Sequence, residues 1–262
     1  MDLKLTNKLA LVTGSTAGIG RAIVEALARE GARVIVNGRT RAAVDTAITD
    51  IKASTGADVL GFAGDLGTAA AEELGRQYPD VEILGNNLGI FEAKPFEDIP
   101  DEDWMRFFEV NVLGGVRLAR LYLPSMRQRN WGRIIFISSE SAMQIPTEMI
   151  HYGTTKTAQL AVSRGLAEAV AGTGITVNSI LPGPTKSRGV RDLVESMGKA
   201  QGMSFEQSEK EFFEKARPTS LIKRFAAPEE VASLVAYVAS PLASATTGAA
   251  LRADGGVVKS VV

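Results

Sequence analysis

The sequence predicts an α/β fold: a doubly wound parallel sheet with helices on both faces. Short apolar strands alternate with longer helical segments, a glycine-rich turn joins the first strand to the first helix, and 45% of the 262 residues are hydrophobic. A chain of this size and composition can bury one large core. We therefore expect residues 1–262 to form a single domain.

The predicted elements alternate along the chain. Apolar or β-branched runs predict strands at Leu9–Thr13, Arg33–Asn37, Val59–Ala63, Val81–Leu84, Arg133–Ser138 and Ile175–Leu181. Helical spacing of apolar residues predicts helices at Gly18–Glu30, Arg41–Ala53, Asp101–Arg129 and His151–Ala171. Since crossovers between parallel strands are right-handed, this order winds helices onto both faces of the sheet.

One segment departs from this alternation. Residues 187–223 carry charges, methionines and phenylalanines, and they follow the end of the predicted strand Ile175–Leu181. Ligands of open α/β sheets bind beyond the carboxyl ends of the strands, so we expect 187–223 to form a helical lid over a substrate. A surface insertion or a subunit contact is the alternative.

Composition excludes several classes of function. The 29 basic and 30 acidic residues nearly cancel, so no strong field favours nucleic acid or an anionic membrane. The chain has no cysteine and one histidine, His151, which excludes disulfides, thiolate catalysis and a metal site built on histidines. We expect a small-molecule partner. The polar N-terminus and the lack of a membrane-spanning apolar run predict a cytoplasmic protein.

The turn after the first strand predicts a nucleotide-binding loop. Its glycines let the backbone approach a bulky anion, and the following helix offers free N–H groups to a diphosphate. The spacing is Gly-x-x-x-Gly-x-Gly rather than the commoner Gly-x-Gly-x-x-Gly. The candidate residues are Gly14, Ser15, Thr16, Ala17, Gly18, Ile19 and Gly20.

The end of the second strand indicates which cofactor is bound. No carboxylate stands there to accept the ribose hydroxyls of NAD, whereas Arg39 can pair with a 2′-phosphate. NADP(H) is therefore favoured, with NAD(H) held by backbone groups as the alternative. Asp65 and Leu66 follow the third strand; Asp65 is placed to accept from the adenine amino group, or else to cap the next helix.

A set of polar residues predicts proton-transfer chemistry. Tyr152 and Lys156 share one helix face, and a neighbouring ammonium lowers the pKa of a tyrosine from its reference value of about 10. Ser139 follows a strand and can donate to a substrate oxygen. Its neighbour Ser138 is expected to be structural. Asn111 is a poor interior helix residue, which favours a functional role or a local kink.

Together these motifs identify a resemblance to the short-chain dehydrogenase/reductase family over nearly the whole chain. The matching pieces are Thr13–Gly20, Asn86-Asn87-Leu88-Gly89, Asn111, Ser139, Tyr152-x-x-x-Lys156 and Pro182-Gly183. The resemblance implies a Rossmann-like sheet of seven parallel strands. It also implies an NADP(H)-dependent oxidoreductase that interconverts a carbonyl and a secondary alcohol, commonly as a homotetramer, with a homodimer as the alternative.

The resemblance assigns a role to each matching position. Tyr152 would be the acid/base, and Ser139 would polarise the carbonyl. Lys156 would hold the nicotinamide ribose and lower the pKa of the tyrosine, while Asn111 would hold a water in a proton relay continuing through Lys156. The remaining positions would contact the cofactor: Asn87 and Gly89 along the adenine ribose, and Pro182, Gly183, Thr185 and Ser187 on the nicotinamide side.

Two features bear on specificity. Leu88 stands where the family usually has alanine, and the run after Ser139 lacks the usual glycine, which reshapes one wall of the pocket. Gln144, Glu148 and His151 would give the pocket polar groups, although His151 is more simply an exposed or hydrogen-bonded histidine. A 3-oxoacyl thioester or a sugar-like ketone is the expected substrate. A non-catalytic NADP-responsive binding protein and an epimerase or dehydratase are the alternative functions.

Overall fold

A computed structural model describes residues 2–67, 70–186 and 203–261. Seven strands in these residues form one parallel sheet in the order β3-β2-β1-β4-β5-β6-β7. The predicted doubly wound sheet and the implied number of strands are confirmed. The strands are β1 (Leu9–Val12), β2 (Arg33–Gly38), β3 (Val59–Ala63), β4 (Ile83–Asn86), β5 (Gly132–Ile137), β6 (Ile175–Pro182) and β7 (Ala250–Ala253).

The sheet order reverses between β1 and β4. The chain runs outward from β1 through β2 to β3, and then crosses back to β4 on the other side of β1. At such a switch point the loops beyond the carboxyl ends of the two central strands diverge and leave a crevice. The loops at Thr13 and Asn87 border this crevice.

Helices cover both faces of the sheet. One layer contains α1 (Gly18–Arg29), α2 (Arg41–Thr55) and α8 (Pro228–Ala239), and the other contains α3 (Ala71–Gln77), α5 (Gly114–Gln128) and α6 (Ile150–Ala169). Two further helices are α4 (Asp101–Phe108), which packs on α6, and α7 (Phe205–Lys215). None of the helices in the described residues has the length and apolar character of a membrane span.

The strands supply two cores because successive side chains point to opposite faces. In β1, Ala10 and Val12 pack with the layer of α1 and α8, while Leu11 packs with the layer of α5 and α6. In β5, Ile135 packs with the layer of α1 and α8, and Phe136 packs with the layer of α5 and α6. A buried parallel sheet therefore needs apolar residues at almost every strand position, which is the pattern in the sequence.

The long helix predicted over Asp101–Arg129 is interrupted. The structure has α4, then a π turn at Glu109–Leu113, then α5. Asn111 lies at the centre of this turn, where the sequence indicated a local irregularity. A π turn widens the helix by one residue and is frequent at functional sites because it changes which backbone groups are free.

Candidate functional site

The turn between β1 and α1 brings together the backbone of Gly14, Gly18 and Gly20, and we call it the glycine cradle. Gly14 and Gly18 have φ of 60° and 58°, in the left-handed region that favours glycine. A Cβ on Gly20 would lie 2.6 Å from the Gly14 carbonyl oxygen. Ala17, the exposed residue before α1, provides no side-chain cap for the first turn. The helix therefore presents free N–H groups and its positive end, a combination that suits an anion.

Hydrogen bonds from buried side chains hold this loop in shape. The Ser15 hydroxyl donates to the Val12 carbonyl (2.6 Å) and accepts from the Asn37 N–H (2.9 Å). The Asn37 Oδ1 in turn accepts from the Gly14 N–H (3.0 Å). The hydroxyl of Ser15 thus serves the loop itself, while Ile19 packs against the apolar core and Thr16 borders a surface cleft.

Asn87 braces the loop from the neighbouring strand. Its Nδ2 donates to the carbonyls of Thr13 (2.9 Å) and Gly14 (3.2 Å). The Thr13 hydroxyl accepts from the N–H groups of Asn87 and Leu88. The bulkier Leu88 is accommodated against bare backbone, because its Cδ1 lies 3.4 Å from where a Cβ on Gly14 would stand.

A surface cleft next to the loop contains Arg39. It is lined by Gly14, Thr16, Asn37, Gly38, Arg39, Gly64, Asp65, Leu66 and Leu88. Arg39 is exposed and forms no hydrogen bond or ion pair with any described residue, so its guanidinium is free to bind a phosphate. Asp65 is also exposed, and one of its carboxylate oxygens accepts from the Gly67 N–H (2.9 Å).

The alternative that Asp65 caps the next helix is wrong. The helix α3 begins at Ala71, and its N-cap residue is Ala70. Asp65 therefore stands five residues before the cap position and closes a local turn instead. Its neighbour Leu66 is buried at the base of the cleft. One oxygen of the exposed Asp65 carboxylate is left for a ligand in the cleft.

Three predicted catalytic side chains meet beyond the carboxyl ends of β4 and β5. Ser139 begins a 3-10 turn after β5, and Tyr152 and Lys156 lie in the first two turns of α6. The Ser139 side chain lies close enough to the Tyr152 phenol to influence its pKa, and the Lys156 Nζ lies 5.6 Å from the Tyr152 ring centroid. Ser138 is structural, as predicted, because its hydroxyl donates to the Lys156 carbonyl (2.9 Å).

The protein around Tyr152 raises the pKa of this phenol. Burial is the main cause and the nearby Glu140 carboxylate adds to it, while the neighbouring Ser139 hydroxyl and the Arg217 guanidinium act in the opposite direction. The sequence predicted that Lys156 would lower this pKa. Burial dominates instead, and Lys156 is not among the groups that shift this pKa, so the phenol is protonated at neutral pH.

Lys156 is buried and hydrogen bonded. Its Nζ donates to the Ile137 carbonyl (3.0 Å) and to the Gln159 Oε1 (3.2 Å). Burial lowers the pKa of Lys156 to about 8, because the ammonium is separated from bulk water. A Cβ on Gly89 would lie 3.4 Å from this Nζ, which puts the exposed Gly89 beside the lysine head.

Asn111 is linked to Lys156, the predicted catalytic lysine, through the side chain of Gln159. Its carbonyl oxygen accepts from the Gln159 Nε2 (2.5 Å), and Gln159 contacts Lys156. Its side chain donates to the Ile90 carbonyl and the Thr155 hydroxyl (both 3.0 Å) and accepts from the Ile90 N–H (2.8 Å). Sequence reasoning missed Gln159, although its position three residues after Lys156 places both on one helix face.

Glu140 and Arg217 form a buried ion pair beside Ser139. The Glu140 Oε2 accepts from the Ser139 hydroxyl (2.5 Å), and its Oε1 lies 3.3 Å from the Arg217 Nε. Arg217 also contacts Glu148 at the pocket rim (3.3 Å). The sequence indicated neither Glu140 nor Arg217, because 77 residues separate the two partners. The one available signal was a carboxylate immediately after the predicted catalytic serine.

The residues after β6 stand at the same edge of the sheet. Pro182 is buried at the end of β6, and a Cβ on Gly183 would lie 2.4 Å from the Asp254 carbonyl oxygen. The Thr185 hydroxyl donates to the Gly183 carbonyl (2.9 Å), which closes the turn. Ser187, the other candidate for the nicotinamide side, lies outside the described residues.

His151 was predicted wrongly. It is fully buried, neither exposed nor hydrogen bonded: among the described residues neither ring nitrogen has a partner. The ring packs against Phe107 in α4, with centroids 4.1 Å apart. Adjacent helix residues point in different directions, and the apolar environment of α4 determines the surroundings of this one.

We expect His151→Leu to reduce the dependence of stability on pH. Burial lowers the pKa of His151; among nearby charges Asp103 and Glu92 oppose this, and Lys94 and Arg106 reinforce it. Below the unfolded-state pKa of about 6.5, the unfolded chain binds more protons than the folded chain. The unfolding free energy of the parent therefore decreases as the pH is lowered, by at most about 1.4 kcal/mol per pH unit.

Urea unfolding at about pH 7.5 and about pH 5.5 measures this difference, and carboxylates titrate below that window. The leucine variant should lose less stability between the two pH values than the parent does. Equal losses in parent and variant would show that His151 carries no proton-linked stability.

The chain is similar to known proteins in both sequence and fold. The profile of the family described as short chain dehydrogenase matches residues 8–198. The chain is 50% identical to the uncharacterized oxidoreductase YvaG of Bacillus subtilis over all of both chains, and 34% identical to a D-beta-hydroxybutyrate dehydrogenase of Cupriavidus necator over 97% of this chain and 99% of that one. It superposes on L-sorbose reductase from Gluconobacter frateurii, solved with NADPH and L-sorbose, with a TM-score of 0.93 and 32% identity over all of both chains.

Proposed function

The chain belongs to the short chain dehydrogenase family of oxidoreductases, and on that premise we propose that it is an NADPH-dependent carbonyl reductase with Tyr152 as proton donor. The observation that carries the proposal is the meeting of Ser139, Tyr152 and the Lys156 ammonium beside a glycine cradle at the switch point. These groups are the donors that a carbonyl needs as it becomes an alkoxide.

The residues of the crevice fit a phosphorylated dinucleotide. A Cβ at Gly20 or Gly38 would fill the cradle, since it would lie within 2.6 Å of neighbouring atoms. The backbone of the cradle would hold the diphosphate, and Arg39 would hold the 2′-phosphate. When bound, the cofactor supplies the hydride. The solved L-sorbose reductase, which contains NADPH, supports this choice over NADH.

The protonation states favour reduction. Because the pKa of Tyr152 is raised, the phenol holds its proton at neutral pH and can deliver it to the carbonyl oxygen. Lys156, with a pKa of about 8, is mostly an ammonium at that pH and stabilises the phenolate left behind. Ser139 would donate to the same oxygen after turning its hydroxyl away from Glu140.

A hydroxylated, sugar-like ketone fits the site better than a 3-oxoacyl thioester. The buried Glu140 carboxylate and Arg217 guanidinium lie next to Ser139, and they can accept from and donate to substrate hydroxyl groups. An acyl chain has no hydroxyl groups to bind these donors and acceptors, so it would gain nothing from them beyond the ion pair that they already form. The relative that contains L-sorbose supports the same substrate class.

The segment that carries Arg217 supports the predicted lid. Of the lid at 187–223, the structure describes 203–223, where α7 packs through Phe212 and Phe213 against Phe225. Arg217 follows α7 and pairs with Glu140 beside the catalytic serine. We propose that this segment closes the substrate site of a single-domain enzyme. We also propose that the enzyme assembles as a homotetramer or homodimer, which light scattering would measure.

Absorbance of reduced nicotinamide, followed with a panel of ketones, tests the function. NADPH should be oxidised faster with ketoses than with 3-oxoacyl thioesters or simple cyclic ketones. With ketoses as substrate, NADH should be oxidised more slowly than NADPH. No turnover on any class would favour a binding protein. A nicotinamide that stays bound and does not exchange with added cofactor would favour an epimerase or dehydratase.

We expect Arg39→Asp to reverse the cofactor preference. Loss of a charge-assisted pair with the 2′-phosphate should weaken NADPH binding at least about tenfold. The new carboxylate can accept the ribose hydroxyls of NADH. Fluorescence titration with both cofactors measures the change, and Arg29→Asp, an exposed site on α1, is the control. An unchanged preference would mean that Arg39 does not read the 2′-phosphate.

A further inference from the structure

Gln159 links two residues of the proposed proton path. It lies three residues after Lys156 in α6, and its side chain is almost completely buried. The Oε1 accepts from the Lys156 Nζ (3.2 Å), and the Nε2 donates to the Asn111 carbonyl oxygen (2.5 Å). Because an amide donates through nitrogen and accepts through oxygen, the bond to Asn111 fixes which end of Gln159 faces the lysine.

This link joins the two residues between which the resemblance implies a water. The Asn111 side chain bonds Ile90 and Thr155, while its backbone carbonyl makes the contact toward Gln159 and Lys156. That carbonyl is bonded to the Gln159 amide. A carboxamide neither gains nor loses a proton near neutral pH, so it holds its partners in place and does not conduct protons as a water chain does.

Within residues 2–67, 70–186 and 203–261, the lysine head is left with one free donor. An ammonium has three N–H groups, and the Ile137 carbonyl and the Gln159 Oε1 take two of them. The exposed Gly89, which has no side chain to cover the Nζ, borders the remaining side. The amide and the carbonyl therefore aim the third N–H toward the crevice and the Tyr152 ring.

We propose that Gln159 is a positioning residue that stabilises the charged form of Lys156 and directs its free N–H toward the active site, and that it ties Lys156 to the Asn111 backbone by direct hydrogen bonds. The inference rests on the proposed function only in that the charge of Lys156 is taken to assist the reaction. Its structural basis is the pair of hydrogen bonds through one buried amide.

The surroundings of Lys156 make its titration interpretable. Tyr152 is the ionisable side chain that the described part of the structure places near it, 5.6 Å from Nζ to the ring centroid. The neighbouring elements contribute uncharged groups: the Ile137 carbonyl at the end of β5, Asn111 in the π turn, and Gly89 after β4. Burial is the cause of the lowered pKa of Lys156, and no charged partner contributes to it.

The test is an NMR titration of lysine side chains labelled with ¹³C at Cε, on the full chain without added cofactor. The Lys156 signal is identified by its loss in Lys156→Met. We expect a midpoint near 8 in the parent. In Gln159→Leu, which removes the acceptor, the midpoint should fall by about one pH unit. In the isosteric Gln159→Glu, the added negative charge should raise it above the parent value.

Ser163→Ala is the matched control. Ser163 is also buried in α6, two turns beyond Lys156, and forms no hydrogen bond with the described residues, so the midpoint should stay at the parent value. If Gln159→Leu does not fold, Gln159→Glu decides the question by itself. An unchanged Lys156 midpoint in the folded Gln159 variants would overturn the proposal.

Turnover separates this inference from the proposed function. If the parent reduces ketones, the pH profile of kcat for Gln159→Leu should move in the direction of the lysine midpoint, which a mere packing defect would not cause. A parent that shifts its lysine midpoint as expected but reduces no carbonyl would refute the proposed function and leave the role of Gln159 standing.

Discussion

Tyr152→Phe is expected to lower kcat/KM for ketone reduction by about 10²- to 10⁴-fold while NADPH affinity stays at the parent value. Phenylalanine keeps the ring, which packs edge-on against Phe91 with centroids 6.3 Å apart, and removes only the proton that Ser139 and Lys156 help to place. Steady-state kinetics and fluorescence titration of NADPH measure the two quantities.

Tyr237→Phe is the control for this variant. Tyr237 lies on α8 with an exposed side chain, far along the chain from the crevice, so both activity and cofactor affinity should match the parent. A Tyr152→Phe enzyme that reduces ketones at the parent rate would show that another group delivers the proton. If it lost NADPH binding instead, the hydroxyl would belong to the cofactor site rather than to proton transfer.

Gly20→Ala is expected to abolish measurable cofactor binding. Its Cβ would lie 2.6 Å from the Gly14 carbonyl and 2.5 Å from the Asn87 Nδ2. The carbonyl is backbone, and the amide is held by its bonds to Thr13 and Gly14, so the loop itself must move. The displaced loop then no longer presents its N–H groups together. Calorimetric titration with NADPH measures the loss.

Gly165→Ala provides the comparison within the same protein. Gly165 lies in α6 four residues before its end, and a Cβ there would meet nothing within 4 Å. Alanine should therefore leave cofactor binding intact and stabilise the fold by about 0.5–1 kcal/mol. Circular dichroism of both variants separates loss of binding from loss of folding. A Gly20→Ala protein that is folded and binds NADPH normally would contradict the assigned cradle.

The sheet, the glycine loop and the tyrosine–lysine pair were predictable because they depend on local patterns. Alternating apolar runs predict a buried parallel sheet, and Gly14, Gly18 and Gly20 stand where the backbone must turn or come close. The spacing of Tyr152 and Lys156 alone puts them on one helix face. In each case the signal lies within a few residues of sequence.

The features that sequence missed depend on distant contacts. Arg217 approaches Glu140 only after the chain has folded, and Gln159 meets Asn111 across 48 residues. His151 appears polar in sequence, yet α4 surrounds it with aromatic rings. The raised pKa of Tyr152 also follows from three-dimensional burial, which spacing along a helix does not reveal.

The packing of α8 on α1 makes the two ends of the chain interdependent. Val231, Val235 and Val238 share one core with Ile23 and Leu27, on the helix whose first turn forms the glycine cradle. Apolar surface of this kind contributes about 25 cal/mol per Å² buried. We therefore expect an excised amino-terminal half to expose that face, and its glycine cradle to be less stable than in the full chain.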